Sequence, residues 1–306
     1  MASSSLSKIL PNLFIGLCKR NRLLEPYAEQ FSGMGYEPWA IDEQVRTESG
    51  RETRPDMILC STKIGNTILI EWTDATVPDN KQDQFERYSE IKAGDLTTSM
   101  AALPPAAVIT HDVSVAAHKA YSQAFSDFLE QNGHNFPTLG CQLNGSGITI
   151  TMEGVGFGES QTNRFFQNGI SVNRVPTGYM TFTADQFTDA DVAQQIASHV
   201  YQRFIQDAGD FNVNEFCPIC YDAWPIFSTV IQGRLRNITR NVLLLLAQYP
   251  CANVHLIRRI STNPSVFRTA NASDYNARKL HSIRTNLSKF VRYVQRRPPI
   301  QGDLGL

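Results

Sequence analysis

Two apolar runs, at residues 57–60 and 67–72, lie close together in the first third of the chain. The second run is rich in β-branched residues, which favour strands. Gly65-Asn66, a pair typical of tight turns, lies between the two runs. The pattern therefore predicts a β-hairpin.

The segments around this hairpin alternate between helical and extended patterns. We predict a helix at residues 23–34, a strand at 36–46, a helix that begins after Pro78, a strand at 106–110, a helix at 115–131 and a strand at 148–152. Another helix, capped near Thr188 or Asp189, follows. This order predicts a mixed α/β fold, in which a mixed sheet is flanked by helices.

From residue 226 onward the pattern is mainly helical, with helices predicted at residues 240–248, 253–261 and 276–293. A short apolar helix, a tight turn, a second helix and a long basic helix resemble a winged-helix or helix-turn-helix module. The resemblance implies a recognition helix that enters the major groove of DNA. We therefore expect a core at residues 1–155, an extension or bridge at 156–224, and a basic helical DNA-binding domain at 225–306.

Composition narrows the class of protein. The chain has 306 residues, 42% of them hydrophobic and 19% charged, which are values typical of a globular protein with room for two domains. No apolar run approaches the roughly 18 residues that a membrane span needs. The amino-terminal stretch lacks a basic leader and a cleavage site, so a signal peptide is not expected. Six cysteines do not make a disulfide scaffold, so we expect a cytoplasmic protein.

Charge is strongly segregated, although the net charge of the whole chain is only −1. Residues 225–306 contain 13 Lys and Arg but two Asp, a net charge of +11, and the rest of the chain carries −12. This segregation predicts a surface that binds a polyanion, and double-stranded DNA is the expected partner. The alternative explanation of the charge segregation is a basic domain that packs on an acidic one. The predicted DNA contacts are Arg258, Arg259, Arg278, Lys279, Arg284, Lys289 and Arg292.

Candidate chemistry is concentrated at the hairpin and the helix after it. Asp56 begins the first strand and Glu71 lies near the end of the second, so a hairpin brings these carboxylates together. Lys81, Gln84 and Tyr88 follow at spacings that share one face of a helix. Mg²⁺ prefers oxygen ligands and takes one or two carboxylates. The sequence therefore predicts a divalent-metal site, with Lys81 near the water or phosphate that such a metal holds.

This segment resembles the PD-(D/E)xK nuclease superfamily, to which many restriction endonucleases belong. Pro55-Asp56 matches the PD element, Glu71 matches the acidic residue, and Gln84 with Tyr88 resembles the QxxxY helix of RecB-like members. The resemblance implies a restriction-endonuclease-like core and a DNA endonuclease that uses Mg²⁺ or Mn²⁺, of a restriction or defence type. Cleavage of both strands needs two active sites, which implies a homodimer or a partner subunit.

One position departs from the motif, because Thr73 stands where the superfamily has its lysine. In some members the lysine migrates to the following helix, where Lys81 lies. Lys63, in the predicted hairpin turn, is the second choice. Two readings follow: an active nuclease that uses Lys81, or a decayed nuclease fold that serves as a DNA-binding regulator or complex subunit.

Two further patterns have competing interpretations. Cys217, Cys220, Cys251 and His255 match the spacing of a zinc site, whereas buried free cysteines explain the same pattern. His111, which follows the predicted strand at 106–110, is either a phosphate contact or an ordinary loop residue.

Overall fold

The computed structural model describes residues 5–78, 81–100, 103–184, 186–262 and 264–298 of the chain. The chain divides into two compact units, each described by itself below. The first comprises Met1–Met180 with Ile226–Ser228, and the second comprises Thr181–Pro225 with Thr229–Leu306. The stretch at 156–224, which the sequence left without assignment, is thus shared between the two units.

The first unit is a mixed α/β fold. Its elements, in chain order, are α1 (Leu6–Cys18), α2 (Tyr27–Gly33), β1 (Glu37–Ile41), β2 (Val45–Arg46), β3 (Glu52–Thr53), β4 (Met57–Ser61), β5 (Asn66–Thr73), α3 (Gln82–Ser89), α4 (Ala93–Ser99), β6 (Thr110–His118), α5 (Lys119–Gln131), β7 (Thr138–Asn144), β8 (Gly147–Glu153), α6 (Ser160–Gln167) and β9 (Ile170–Val172).

Seven of these strands form one sheet, in the order β1-β4-β5-β6-β7-β8-β9. The β5–β6 and β6–β7 pairs are parallel and the other neighbours are antiparallel. All residues of β4 and β5 are buried, as expected for central strands that are covered on both faces. The predicted class, a mixed sheet flanked by helices and followed by a mainly helical region, is confirmed.

The predicted hairpin is also confirmed, with Met57 opposite Ile70 and Cys60 opposite Thr67. Gly65 in its turn has a φ of +68°, a backbone conformation that glycine adopts without the strain other residues incur. The capped helix near residue 188 is confirmed as well, because Thr188 is the N-cap of the helix at Asp189–Ile205.

The predicted boundary between strand and helix around residue 115 is wrong. The strand runs over Thr110–His118 rather than 106–110, and the helix begins only at Lys119. Alanine-rich residues 115–117 favour a helix in isolation, but here they pair in register with β5 on one side and β7 on the other. Tertiary pairing overrides the local helical propensity.

The sequence-based prediction also missed the helix α1, whose Leu10, Phe14 and Leu17 are fully buried.

The second unit contains α7 (Asp189–Ile205), β10 (Asp210–Asn212), α8 (Val213–Cys220), α9 (Thr229–Gln248), β11 (Ile257–Thr262), β12 (Ser265–Thr269) and α10 (Ala277–Arg296). Its three strands form an antiparallel sheet in the order β10-β12-β11. The predicted helix at 276–293 is confirmed by α10. The predicted helix at 253–261 is wrong, because Ile257–Thr262 pairs with β12 as a strand.

The charge of the second unit is smaller than that of its carboxyl-terminal part. The whole unit holds 14 Lys and Arg and nine Asp and Glu, a net charge of +5, because residues 181–225 contribute seven acids and a single base. Arg268 forms an ion pair with Asp210 at 2.5 Å. Arg268 is therefore neutralised inside the unit, and the net charge of residues 225–306 overstates the positive charge of the unit.

Among the described residues, none of the helices has both the length and the apolar character that crossing a membrane requires.

Two buried threonines of the sheet differ in one respect that stability measurements can detect. Thr67 and Thr138 are both fully buried, but Thr67 Oγ1 donates to the Ala107 carbonyl oxygen at 2.8 Å, whereas Thr138 Oγ1 has no hydrogen-bond partner among the described residues. We expect Thr138→Val to leave the free energy of unfolding unchanged or to raise it by up to about 1 kcal/mol. Denaturant unfolding measures this, and an appreciable loss of stability would contradict it.

Thr67→Val is the matched control, because it makes the same chemical change in the same sheet. It removes the donor to a buried carbonyl, so we expect a loss of about 1–3 kcal/mol.

Candidate active site

The candidate site lies where β4 begins and β5 ends. Asp56 immediately precedes β4, and Glu71 is buried near the end of β5. In the antiparallel register Met57 is opposite Ile70, so the next positions outward are Asp56 and Glu71. Asp56 Oδ2 accepts a hydrogen bond from the backbone N–H of Trp72 at 2.8 Å. The hairpin thus holds the two carboxylates on neighbouring strands, as the sequence predicted.

Lys81, the residue before α3, reaches this pair of strands. Its Nζ donates to Glu71 Oε1 at 3.0 Å and to Gln84 Oε1 at 2.9 Å. The Lys81 side chain is 28% exposed and that of Glu71 is 5% exposed, so the ion pair is only partly screened by solvent. Lys81, ten residues after Glu71 in the chain, therefore places its ammonium group at the Glu71 carboxylate.

Tyr88 supports Glu71 from the other side of the carboxylate. Its hydroxyl donates to Glu71 Oε2 at 2.7 Å, and Gln84 Nε2 donates to the Tyr88 oxygen at 3.3 Å. Burial, together with the negative charge of Glu71, raises the pKa of Tyr88 well above its usual value. Tyr88 consequently remains a neutral phenol that donates to the carboxylate. Gln84 links the two donors, so Glu71, Lys81, Gln84 and Tyr88 form one hydrogen-bonded cluster.

The carboxylate oxygens of Asp56 and Glu71 are ligands that suit a hard divalent cation. A carboxylate has about four acceptor positions, and the contacts to Lys81 and Tyr88 use one on each oxygen of Glu71. Within the described ranges, no group of three or more His, Cys, Asp or Glu side chains is arranged to hold a metal ion. An ion bound by Asp56 and Glu71 would take its remaining ligands from water and phosphate, which is the usual manner for Mg²⁺.

Thr73 and Lys63 do not take the place of the motif lysine. Thr73 is buried, and its hydroxyl accepts a hydrogen bond from the backbone N–H of Ala75 at 3.0 Å. Lys63 lies in the hairpin turn, at the opposite end of β5 from Glu71, and its Nζ donates to the Gly33 carbonyl oxygen. Lys63 as the second choice is therefore wrong, and Lys81 is the lysine that contacts Glu71.

His111 has a structural contact rather than a place in the cluster. Its Nε2 donates to the carbonyl oxygen of Ile91 at 3.0 Å, which ties β6 to the segment after α3. The interpretation as a phosphate contact is not supported by this geometry.

The four residues with zinc-site spacing are not brought together. Cys217 and Cys220 are buried on α8 and Cys251 is buried after α9, while His255 Nδ1 donates to the Ala247 carbonyl oxygen at 3.0 Å. All three thiols are free in the structure. The alternative interpretation, buried free cysteines, describes this arrangement.

Burial of the thiols leads to a prediction about alkaline pH. It raises the pKa of Cys60 and Cys141 to about 12 and that of Cys217 and Cys251 to about 11, from an ordinary value of 9.0. Because the folded-state pKa is the higher one, their contribution to stability is complete below pH 9.0 and is lost as the pH rises toward 11–12.

We expect the free energy of unfolding to fall as the pH rises above 9.0, by up to about 1.4 kcal/mol per pH unit for each thiol. Denaturant unfolding at several alkaline pH values measures the slope. Cys141→Ala should make the slope shallower, and an unchanged slope in that variant would contradict the assignment.

The predicted DNA contacts fall on two different elements. Arg278, Arg284, Lys289 and Arg292 are exposed on α10, while Ile283, Leu287 and Phe290 form its buried face. Lys279, the remaining predicted contact on α10, is half-buried. The helix contains no Asp or Glu, and no salt bridge among the described residues involves it. Arg258 and Arg259 lie on the strand β11 rather than on a helix, which corrects the expectation for these two residues.

The comparison with protein-family models matches the MJECL32 domain over residues 7–180. The chain belongs to the MJECL32 domain family. No curated protein and no solved structure matches the chain significantly. The MJECL32 match ends at Met180, where the main part of the first unit ends, so the domain corresponds to that part of the unit without Ile226–Ser228. All five candidate residues, from Asp56 to Tyr88, lie inside the MJECL32 domain, whereas α10 lies outside it.

Proposed function

We propose that this protein is a divalent-metal-dependent endonuclease that hydrolyses phosphodiester bonds in double-stranded DNA. Asp56 and Glu71 are the metal ligands, and Lys81 takes the role of the lysine that the motif lacks at Thr73. The observation that carries the proposal is the contact between Lys81 Nζ and Glu71 Oε1 at 3.0 Å. This contact brings an ammonium group to the glutamate that matches the acidic residue of the motif, which supports that role for Lys81.

The chemistry divides between the metal and the residues of the chain. When bound, Mg²⁺ or Mn²⁺ lowers the pKa of a water molecule and offsets the charge of the phosphate. Lys81 supplies a positive charge beside the same carboxylate, which favours the negative charge that develops on the phosphate during hydrolysis. Gln84 orients the ammonium group, and Tyr88 holds Glu71 with a hydrogen bond to its second oxygen.

The second unit is proposed to bind the DNA. Its order of elements, α7-β10-α8-α9-β11-β12, and its sheet order, β10-β12-β11, resemble a winged-helix domain, which supports this role. In that arrangement the recognition helix is α9 rather than α10, and the β11–β12 hairpin is the wing. The basic face of α10 is then an additional surface for the phosphate backbone.

The test is cleavage of plasmid DNA with Mg²⁺. We expect Asp56→Asn and Glu71→Gln each to lower the rate by about 10³-fold or more, because each removes a charged metal ligand. DNA binding without metal should be retained in both variants. Glu86→Gln is the matched control, because it neutralises an exposed carboxylate on the same helix as Tyr88. Wild-type rates in Asp56→Asn would rule out the proposal.

A decayed nuclease fold that only binds DNA is the second candidate, and Thr73 is the observation that favours it. Salt-sensitive DNA binding that needs no metal, without any nicking by the wild-type protein, would select it.

A further inference from the structure

A polar cleft in the second unit is the strongest feature that the proposed nuclease site leaves unexplained. Its volume is about 400 Å³, and it lies between the start of α8, the side chain of Arg240 on α9, and the β11–β12 hairpin. Ligand pockets typically measure about 300–1,000 Å³, so this cleft suits a small group. Among its lining residues are Asn212, Asn214, Arg240, Arg259, Thr262 and Ser265.

Arg259 is held rigidly at this cleft by its own hairpin. Its Nε donates to the Ser261 carbonyl oxygen at 3.0 Å, and its Nη2 donates to the Thr262 carbonyl oxygen at 3.2 Å. The described residues offer no acceptor to Nη1. These bonds restrict the rotamers of a long side chain before any ligand arrives, so binding costs less side-chain entropy.

The charge of the cleft is positive and is not compensated within it. No lining residue is an Asp or Glu. Two other arginines of the same sheet differ in this respect, because Arg268 is paired with Asp210 and Arg258 lies near the same carboxylate. Among the described residues, the side chain of Arg240 has one hydrogen-bond partner, a long contact from Nη1 to Asn237 Oδ1 at 3.5 Å. Arg240 and Arg259 therefore face the same space without an acidic partner there.

We propose that this cleft binds a phosphate group between Arg240 and Arg259, with Asn214 as a neutral partner for its oxygens. The guanidinium group is planar and offers paired N–H donors that match phosphate oxygens. The phosphate belongs either to a nucleic-acid backbone or to a free phosphate or nucleotide. The first source rests on the DNA-binding part of the proposed function, and neither source depends on the nuclease site.

The test has two arms and uses the full chain. In the first, inorganic phosphate is titrated against a chloride control of equal ionic strength, and the unfolding temperature is followed. In the second, affinity for a short DNA duplex is measured by fluorescence anisotropy at several salt concentrations. The variants are Arg240→Gln and Arg259→Gln, and Arg22→Gln, an exposed arginine of the first unit, is the control for loss of one charge.

We expect phosphate to stabilise the wild type more than chloride does, and each cleft variant to lose that difference. For a backbone phosphate, duplex affinity should also fall by about tenfold, and the slope of log affinity against log salt should decrease by about 0.9 for each phosphate that the protein no longer neutralises. Loss of the phosphate effect with unchanged duplex affinity identifies a free phosphate or nucleotide.

Two results would overturn the proposal: phosphate and chloride acting alike on the wild type, or cleft variants that behave like Arg22→Gln in both arms. Arg259→Gln also removes bonds that hold the hairpin and could unfold the protein. In that case Arg240→Gln, which disturbs a contact of 3.5 Å, is the variant that tests the proposal. The two proposals fail separately, because a wild-type protein that cleaves plasmid DNA but shows no phosphate effect overturns only the phosphate site.

Discussion

Lys81→Met is expected to lower the rate of magnesium-dependent DNA cleavage by about 10²- to 10³-fold, the loss typical when one charge-stabilising donor is removed from an active site. The reason is geometric: Lys81 Nζ lies 3.0 Å from Glu71 Oε1, and Gln84 orients it with a second contact at 2.9 Å. Methionine keeps most of the length of the side chain and removes the charge. Single-turnover cleavage of a labelled duplex measures the chemical step.

Two further variants make this prediction specific. Lys63→Met removes a lysine at the far end of the same hairpin, so it should leave the rate unchanged. Thr73→Lys in the Lys81→Met background should restore part of the activity, because residues 71 and 73 of a strand point to the same face. A fully active Lys81→Met protein would exclude Lys81 from the mechanism and would leave the metal ligands unaffected.

The second large effect is expected from α10. Changing Arg278, Arg284, Lys289 and Arg292 together to glutamine removes four exposed positive charges from a helix that contains no acid. If all four bind phosphates, the slope of log affinity against log salt should decrease by about 3.6, at about 0.9 for each neutralised phosphate. The affinity for DNA at moderate salt should fall by about 10²-fold or more. Fluorescence anisotropy across a salt series measures both quantities.

The control for this variant removes the same four charges elsewhere. Lys8, Lys19, Arg22 and Lys92 are exposed in the first unit, and their change to glutamine should alter the salt slope much less. Equal effects of the two variants would mean that net charge, rather than the α10 surface, governs binding. An unchanged affinity in the α10 variant would leave α9 and the β11–β12 hairpin as the DNA-binding surface.

The sequence predicted which of the candidate residues lie together, because their proximity depends on short-range structure. A hairpin with a Gly65 turn brings residues 56 and 71 opposite each other whatever the rest of the fold does, and helical spacing places Gln84 and Tyr88 on one face. The predicted strand at 106–110 and the predicted helix at 253–261 failed for the opposite reason. Their conformations depend on pairing with β5, β7 and β12, and no local pattern records these partners.

The distribution of charge also needed the fold. The +11 of residues 225–306 is a property of a segment, whereas the unit to which they belong carries +5, because acidic residues 181–225 join it. Asp210 pairs with Arg268 across 58 positions of sequence. Arg240 and Arg259 lie on different elements, and only the folding of α9 against the β11–β12 hairpin brings them to one cleft.

From the sequence alone follow the mixed α/β class, the hairpin, the two carboxylates and the spacing of Lys81, Gln84 and Tyr88, because periodicity and turn chemistry act over a few residues. The tertiary structure decided which lysine meets Glu71. Lys63 and Lys81 are eight and ten positions from that glutamate along the chain, and sequence distance does not distinguish them. The direction of β5 distinguishes them, because Lys63 lies at the end of the strand opposite Glu71. Lys81, at the start of α3, lies 3.0 Å from the carboxylate.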